Sequence, residues 1–454
     1  MLIENSEYIV DIVDIGEGGV GVGKYDGFTV FVDGGLIGDK IKVKINKSKK
    51  KYAVGDIVEI IEKSPDRVQR ICSDKLRECG GCQIQELDYN KQLELKKNEV
   101  KQAVERIGKI KDVKINDTLG MNCPYRYRNK AQFPIQKVDG KIRIGFYKKK
   151  SHDIIPTDKC VIQHELNDKI VRILNTYIKA YKISIYDEKT GRGSLRHLIT
   201  KIGFSTKEVM VILVVNGRDL PNLKELNLVL KQNIPGFKTL VLNVNTKKTN
   251  VILGNENIVI YGNGIIKDKI EDLTFNISPQ SFYQVNPAQT EVLYNKALEY
   301  ADLDGTETVF DIYCGIGTIS LFLAKSAKKV YGIEIVEEAI HDAKVNADNN
   351  NIKNVKFHAG KAEVVVPRLY SEGKIADIVV VDPPRKGCDE KVLNTIVSME
   401  PKKVVYVSCN PSTLARDLGY LEEHGYKCIE IQPVDMFPHS THVESVALIT
   451  KINE

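Results

Sequence analysis

From about residue 275 onward the chain follows one pattern again and again: a short apolar run that stops at an acidic or reactive side chain, then a stretch of helical character. Val309-Phe310-Asp311-Ile312 leads into Tyr313-Cys314-Gly315-Ile316-Gly317, and Val330-Tyr331-Gly332-Ile333 ends in Glu334. Ile378-Val379-Val380-Val381 ends in Asp382-Pro383-Pro384, and Val404-Val405-Tyr406-Val407 in Ser408-Cys409-Asn410-Pro411. Continuous apolar runs read as strands buried on both faces, and their alternation with helices predicts a doubly wound parallel α/β sheet. In that fold the C-terminal strand ends lie along one edge, so the side chains at the run ends are expected to share a site.

A chain of 454 residues is expected to hold about three domains. Residues 1–65 are rich in Gly, Val and Ile in short alternating runs, which reads as a small β-barrel. Residues 66–270 carry a cysteine group, a charged helical stretch and then strands with turn punctuation, an α+β region; residues 271–454 are the doubly wound part. The net charge of +6 is compatible with polyanionic partners and decides nothing further. No apolar stretch approaches ~18 residues and the N-terminus has no basic region followed by an apolar one, so a cytoplasmic protein without a membrane segment is expected.

The run ends describe a nucleoside site. The Gly315-Ile316-Gly317 turn lets the backbone approach a ligand, and Glu334 sits where a parallel sheet places a carboxylate to bind both ribose hydroxyls. The loop lacks the GxxxxGK phosphate cradle and the third glycine of a dinucleotide fingerprint, which argues against ATP and NAD. S-adenosylmethionine, a nucleoside without phosphates, fits what remains.

A cysteine beside a methyl-donor site suggests covalent catalysis on a pyrimidine. C5 of uracil is a weak nucleophile until a thiolate adds at C6, and a base must afterwards remove the C5 proton. Cys409 can supply the thiolate, and Glu444, at the entry of the final apolar strand, the base; His442 is a plausible orienting neighbour.

Nine cysteines in a long chain without a secretion signal read as ligands, nucleophiles or buried thiols rather than disulfides. Cys72, Cys79 and Cys82 fall in one short segment with Gly80-Gly81, and Cys160 is a candidate fourth ligand; four thiolates suit a structural zinc or a 4Fe-4S cluster. For nucleic acid, Lys40, Lys42 and Lys44 alternate with Ile41, Val43 and Ile45 and run into Lys47, Lys49, Lys50 and Lys51, a lysine face expected to meet phosphates. Tyr125-Arg126-Tyr127-Arg128-Asn129-Lys130 interleaves aromatics with cations, and Phe282 could stack on an extruded base.

The segments Ser281–Pro287, Asp311–Gly317, Asp382–Gly387, Ser408–Pro411 and His442–Glu444 together resemble the RNA (uracil-5-)-methyltransferase family, closest to bacterial 23S rRNA 5-methyluridine enzymes with an N-terminal TRAM domain. The resemblance covers nearly the whole chain. It implies a Rossmann-like S-adenosylmethionine-dependent domain over 271–454, an OB-like RNA-binding TRAM barrel over 1–65 and a central α+β domain over 66–270. It further implies Cys409 as nucleophile, Glu444 as base, and Gln284, Tyr313, Glu334 and Asp382 around S-adenosylmethionine. Cys72, Cys79, Cys82 and Cys160 would hold a 4Fe-4S cluster. The implied partner is RNA, 23S rRNA first, with tRNA or a non-catalytic assembly role as alternatives and a monomer as the default state. Tyr313 stands where members often have Phe and keeps the aromatic wall.

Overall fold

The computed structural model of the chain describes residues 1–73, 76, 78–149, 151–157 and 159–452. Strands β1 (Glu7–Gly16), β2 (Val20–Tyr25), β3 (Phe28–Asp33), β4 (Lys40–Ser48) and β5 (Tyr52–Glu62) close into a barrel. Alternation builds it: Val10, Ile12, Val30, Val32, Ile41, Val43 and Ile45 fill the interior. Gly55 is required where β5 crosses β4, because a Cβ there would lie 2.6 Å from the Lys44 carbonyl oxygen.

The lysine face of β4 points outward as expected, but its neighbours neutralise it. Lys42 pairs with Glu7 at 2.8 Å and Lys40 with Glu62 at 3.3 Å, while the strand register sets Lys44 opposite Glu7 on one side and Asp56 on the other. A charge-balanced face releases few counterions on meeting a phosphate backbone, so the expected role of these three lysines is corrected. Lys47, Lys49, Lys50 and Lys51 at the β4–β5 turn remain exposed.

Helix α1 (Tyr89–Arg106), capped by the Asp88 carboxylate on the Asn90 amide, and the two-residue β6 (Lys114–Ile115) follow. Both join the C-terminal layer rather than the central one. Val100 and Val104 of α1 enter the core beneath the C-terminal sheet, and β6 is that sheet's edge strand.

The central sheet has seven strands: β7 (Lys130–Val138), β8 (Lys141–Tyr147), β9 (Ile154–Pro156), β10 (Leu195–Ile202), β11 (Val209–Val215), β12 (Phe237–Val244) and β13 (Glu256–Tyr261). Its neighbours run antiparallel except β11 and β12, which are joined through a helix. Helices α2 (Leu166–Ala180) and α3 (Leu223–Asn233) cover one face. The other face, through Ile199, Met210, Ile212 and Val241, shares a core with the C-terminal layer.

A hairpin of β14 (Ile266–Ile270) and β15 (Leu273–Ile277) precedes α4 (Pro287–Ala301) and the doubly wound sheet. There β16 (Thr308–Ile312), α5 (Thr318–Ala324), β17 (Lys329–Glu334), α6 (Glu337–Asn349), β18 (Val355–Ala359), α7 (Ala362–Ser371), β19 (Ile378–Val381), α8 (Glu390–Met399), β20 (Lys403–Ser408), α9 (Pro411–Glu423), β21 (Tyr426–Val434) and β22 (Glu444–Lys451) give the order β18-β17-β16-β19-β20-β22-β21-β6. Val309, Val330 and Val405 enter the core on one face, and Phe310, Tyr331 and Tyr406 that on the other, as a strand period of two requires when both faces are covered. Strand order reverses between β16 and β19, which places the ligand crevice at their C-terminal ends.

Candidate active site

The reactive residues meet because of strand direction. β19 and β20 run parallel and put Asp382 and Cys409 just past their C-terminal ends, whereas β22 runs antiparallel to β20 and brings its first residue, Glu444, to the same edge. The register pairs Ser408 with Ser445, so Cys409 and Glu444 are the next residues outward on adjacent strands. Cys409 is half-buried and immediately precedes Asn410, whose side chain caps α9 by accepting from the Ser412 amide at 3.0 Å. Asn410 and Thr413 also donate to the Arg385 carbonyl oxygen at 3.1 and 3.3 Å, fixing the Asp-Pro-Pro-Arg turn against the cysteine.

Three carboxyl groups crowd this edge. Burial, with the charge of Asp311, lifts Asp382 to about 7. Burial lifts Asp311 likewise to about 7, against the Ser320 hydroxyl that donates to it. Glu444 is fully buried and pushed well above the carboxylate range by burial and then by Asp382, with Arg385 opposing. The Cys409 thiol rises to about 11 from burial and the charges of Glu444 and Asp382, and Arg385 again pulls it down. Arg385 is thus the cation that favours both the thiolate and the Glu444 carboxylate.

The expected cofactor residues occupy the neighbouring strand ends. Tyr313, at φ +71°, and Cys314 send their amides to the Ile333 carbonyl, folding the glycine loop over β17. The Tyr313 ring packs on the far face beside Cys388. Glu334 accepts from the Gly315 and Val336 amides at 3.2 and 2.9 Å. Gln284 is buried, its carbonyl holding Asn129 of the central layer at 2.8 Å, and Phe282 two residues earlier is 67% exposed.

Cys72, Cys79, Cys82 and Cys160 also converge. Each of the last three feels the charge of other members of the group, and Cys72, Cys82 and Cys160 share a small core with Tyr125 and Tyr127. Burial pushes Cys160 up to about 11 and Cys82 further. Among the described residues no group of three or more His, Cys, Asp or Glu is arranged to hold a single metal ion.

Arg126 and Tyr127 serve this region internally, which corrects the RNA-facing role expected of them. Arg126 Nη1 donates to the Cys160 and Gln163 carbonyls and meets Asp168 at 3.1 Å, and buried Tyr127 donates to the Pro438 carbonyl at 3.1 Å. Arg126, committed to two carbonyls and a carboxylate, has little left for phosphate, and the Arg128 guanidinium lies over the Tyr127 and Phe437 rings.

A cleft of about 830 Å³ opens onto Cys409 between the barrel, α1 and the loops that carry Arg385, Asn410 and His442. Gly16 and Glu17 of the barrel form one wall, Glu94 and Glu99 of α1 another, and Arg385 and His442 flank the thiol.

The model of the tRNA (Uracil-5-)-methyltransferase family matches residues 88–452, and that of the TRAM domain residues 3–58. The chain belongs to the tRNA (uracil-5-)-methyltransferase family. It is 53% identical over 446 residues to a protein of Caldanaerobacter subterraneus described as an uncharacterized RNA methyltransferase, covering 98% of each chain. It is 51% identical to one of Clostridium tetani with the same description, covering 98% of this chain and 97% of the other. The tRNA (uracil-54, C5)-methyltransferase of Pyrococcus abyssi, solved with S-adenosyl-L-homocysteine, superposes with a TM-score of 0.78 at 29% identity, over 97% of this chain and 99% of its own.

Within this family fold, the structure adds residues that no sequence motif singles out. Lys96 lies on the otherwise buried stripe of α1, but its partner Asp435 is 339 residues away. His439 carries no signal beyond its residue type.

Proposed function

We propose that the protein is an S-adenosylmethionine-dependent RNA (uracil-5-)-methyltransferase that acts on 23S rRNA in the cytoplasm as a monomer. The observation that carries this reading is the pairing of Cys409 with Glu444 at the edge where Asp382 and Glu334 also end their strands. Bound S-adenosylmethionine supplies an electrophilic methyl group, and Gln284, Tyr313, Glu334 and Asp382 hold it. The Cys409 thiolate adds to C6 of uracil and makes C5 nucleophilic toward that methyl group. Glu444, as carboxylate, takes the C5 proton; the C6–S bond then breaks and the thiolate returns. Its raised pKa makes it a stronger base for that proton than an ordinary carboxylate.

The cleft favours a base over a backbone. Asp14, Glu17, Glu94 and Glu99 line it against Lys91 and Arg385, so phosphates are repelled while a neutral, extruded uracil enters. Phe282, whose ring is largely exposed, is assigned to stack on that base. The division 1–65, 66–270 and 271–454 assigns RNA contact to the TRAM barrel, now through the exposed Lys47–Lys51 turn.

Cys72, Cys79, Cys82 and Cys160 are the proposed ligands of a 4Fe-4S cluster. The donor set is all sulfur, and Cys72, Cys82 and Cys160 share one small core, which supports the reading. Bound there, the cluster would tie the Cys72–Cys82 loop to Cys160. Iron and sulfide in anaerobically purified protein test it; a colourless preparation holding zinc would refute it.

A second reading, a tRNA substrate, is favoured by the name of the Pyrococcus abyssi enzyme. Mapping 5-methyluridine in ribosomal and transfer RNA of cells lacking the gene decides: loss from 23S rRNA supports the proposal, and loss from tRNA alone replaces it.

A further inference from the structure

The nine residues before the proposed base, Asp435 to Val443, form an irregular loop between β21 and β22, and its centre is His439. His439 has φ +67°, a left-handed conformation that costs a histidine energy and persists only where its surroundings enforce it. Three groups do so. The amides of Gln83 and Ile84, directly after Cys82, donate to its carbonyl oxygen at 3.0 and 3.1 Å. Gln92 of α1 accepts from its amide at 2.9 Å and places its own amide nitrogen 3.3 Å from Nδ1. Tyr125, which borders the thiol group, stacks on its ring at 4.7 Å. The His439 carbonyl oxygen therefore holds the residues after Cys82 and its buried ring meets Tyr125 beside the thiols and Gln92 of α1, while its chain leads within five residues to Glu444.

We propose that His439 is the positioning residue that couples the thiol-lined loop to the strand end carrying Glu444. Ligation of Cys82 fixes the Gln83 and Ile84 amides beside it, these hold the His439 carbonyl, and the loop then delivers Glu444 opposite Cys409. This rests on the reading of Glu444 as base and of the four thiols as a cluster site, and the experiments separate them.

His439→Gly keeps the left-handed backbone at no steric cost and removes only the side chain. His439→Asn tolerates the same φ and restores an acceptor for Gln92. The expected result is a kcat about tenfold to a hundredfold lower in His439→Gly, as a misplaced catalytic group gives. The KM for S-adenosylmethionine and the melting temperature stay at parent values, and His439→Asn recovers most of the rate. Parent kcat in His439→Gly, or a loss that Asn does not restore, overturns the positioning role.

The coupling is read without activity, by hydrogen exchange of the parent protein before and after iron chelation. Faster exchange over residues 435–444 as well as over 72–87 supports it, and faster exchange over 72–87 alone overturns it. If iron and sulfide are absent at purification, the cluster reading fails by itself; Cys82→Ser then replaces chelation, with the same two outcomes deciding.

Discussion

Cys409 and Glu444 stand side by side one step beyond the last cross-strand pair of β20 and β22, Ser408 with Ser445. Both therefore depend on the same two strands, and neither can shift without moving the other. If one is nucleophile and the other base, their losses differ in kind. Cys409→Ala should abolish methyl transfer to uridine and any covalent RNA adduct. Glu444→Gln should slow turnover by about 10²–10⁴-fold, as loss of a general base does, while a methylated enzyme–RNA adduct accumulates on denaturing gels. Methylation by Cys409→Ala would end this mechanism.

The resting thiol is held up at about 11, and Arg385 is the group that pulls it down. Alkylation of Cys409 by iodoacetamide in RNA-free enzyme, followed by mass spectrometry, should accelerate about tenfold per pH unit from 7 to 9 as thiolate accumulates. Arg385→Gln should slow it at every pH in that range. A rate already flat above pH 7 would mean a thiolate formed by other means.

Glu444 also makes a stability statement. Its folded pKa lies above its unfolded value, so the folded state binds more protons and stability falls as pH rises past the unfolded value near 4.3. Glu444→Gln removes the buried acid. It should raise the melting temperature at pH 8, roughly 2–4 °C for each kcal/mol relieved, and leave it nearly unchanged at pH 4. An equal shift at both pH values would show that packing, not charge, is responsible.

The edge holding Asp382, Cys409 and Glu444 is legible in the amino-acid sequence because each residue bounds an apolar run, and a parallel sheet leaves few other places for such ends. The TRAM barrel is legible for the same local reason, strict alternation. What escapes is non-local. Nothing near Lys42 in sequence announces that Glu7 will lie 2.8 Å from it across a strand pair, so an apparent cationic face proves balanced. Arg126 and Tyr127 read as RNA contacts until the carbonyls of Cys160 and Pro438 arrive from distant segments. Helix α1 looks like part of the central region, and only its buried Val100 and Val104 tie it to the C-terminal sheet.

Phe282 is a large apolar ring left two-thirds in solvent beside buried Tyr283 and Gln284. An unsupported ring there serves little purpose in packing, so Phe282→Ala should leave the melting temperature within error. It should weaken binding of single-stranded uridine RNA by about 1–3 kcal/mol, the value of one stacked base. A large loss of stability with unchanged RNA affinity would return Phe282 to a structural role.

The loop before Glu444 is anchored at its start by a buried ion pair. Lys96 of α1 contacts Asp435, both side chains are fully buried, Tyr89 donates to the same carboxylate at 2.7 Å, and Lys96 donates to the Phe437 carbonyl at 3.1 Å. Such a pair adds little net stability over apolar residues, but removing one member strands a charge in a dry core at about 3–5 kcal/mol. Lys96→Met should therefore lower the melting temperature by roughly 6–20 °C, taking 2–4 °C per kcal/mol. Asp435→Leu added to it should recover part of that loss, because the stranded carboxylate is gone while the lost carbonyl contact is not. If the double variant is no more stable than Lys96→Met alone, the pair's charge is not what anchors the loop, and the hydrogen bonds to Tyr89 and Phe437 would carry that role.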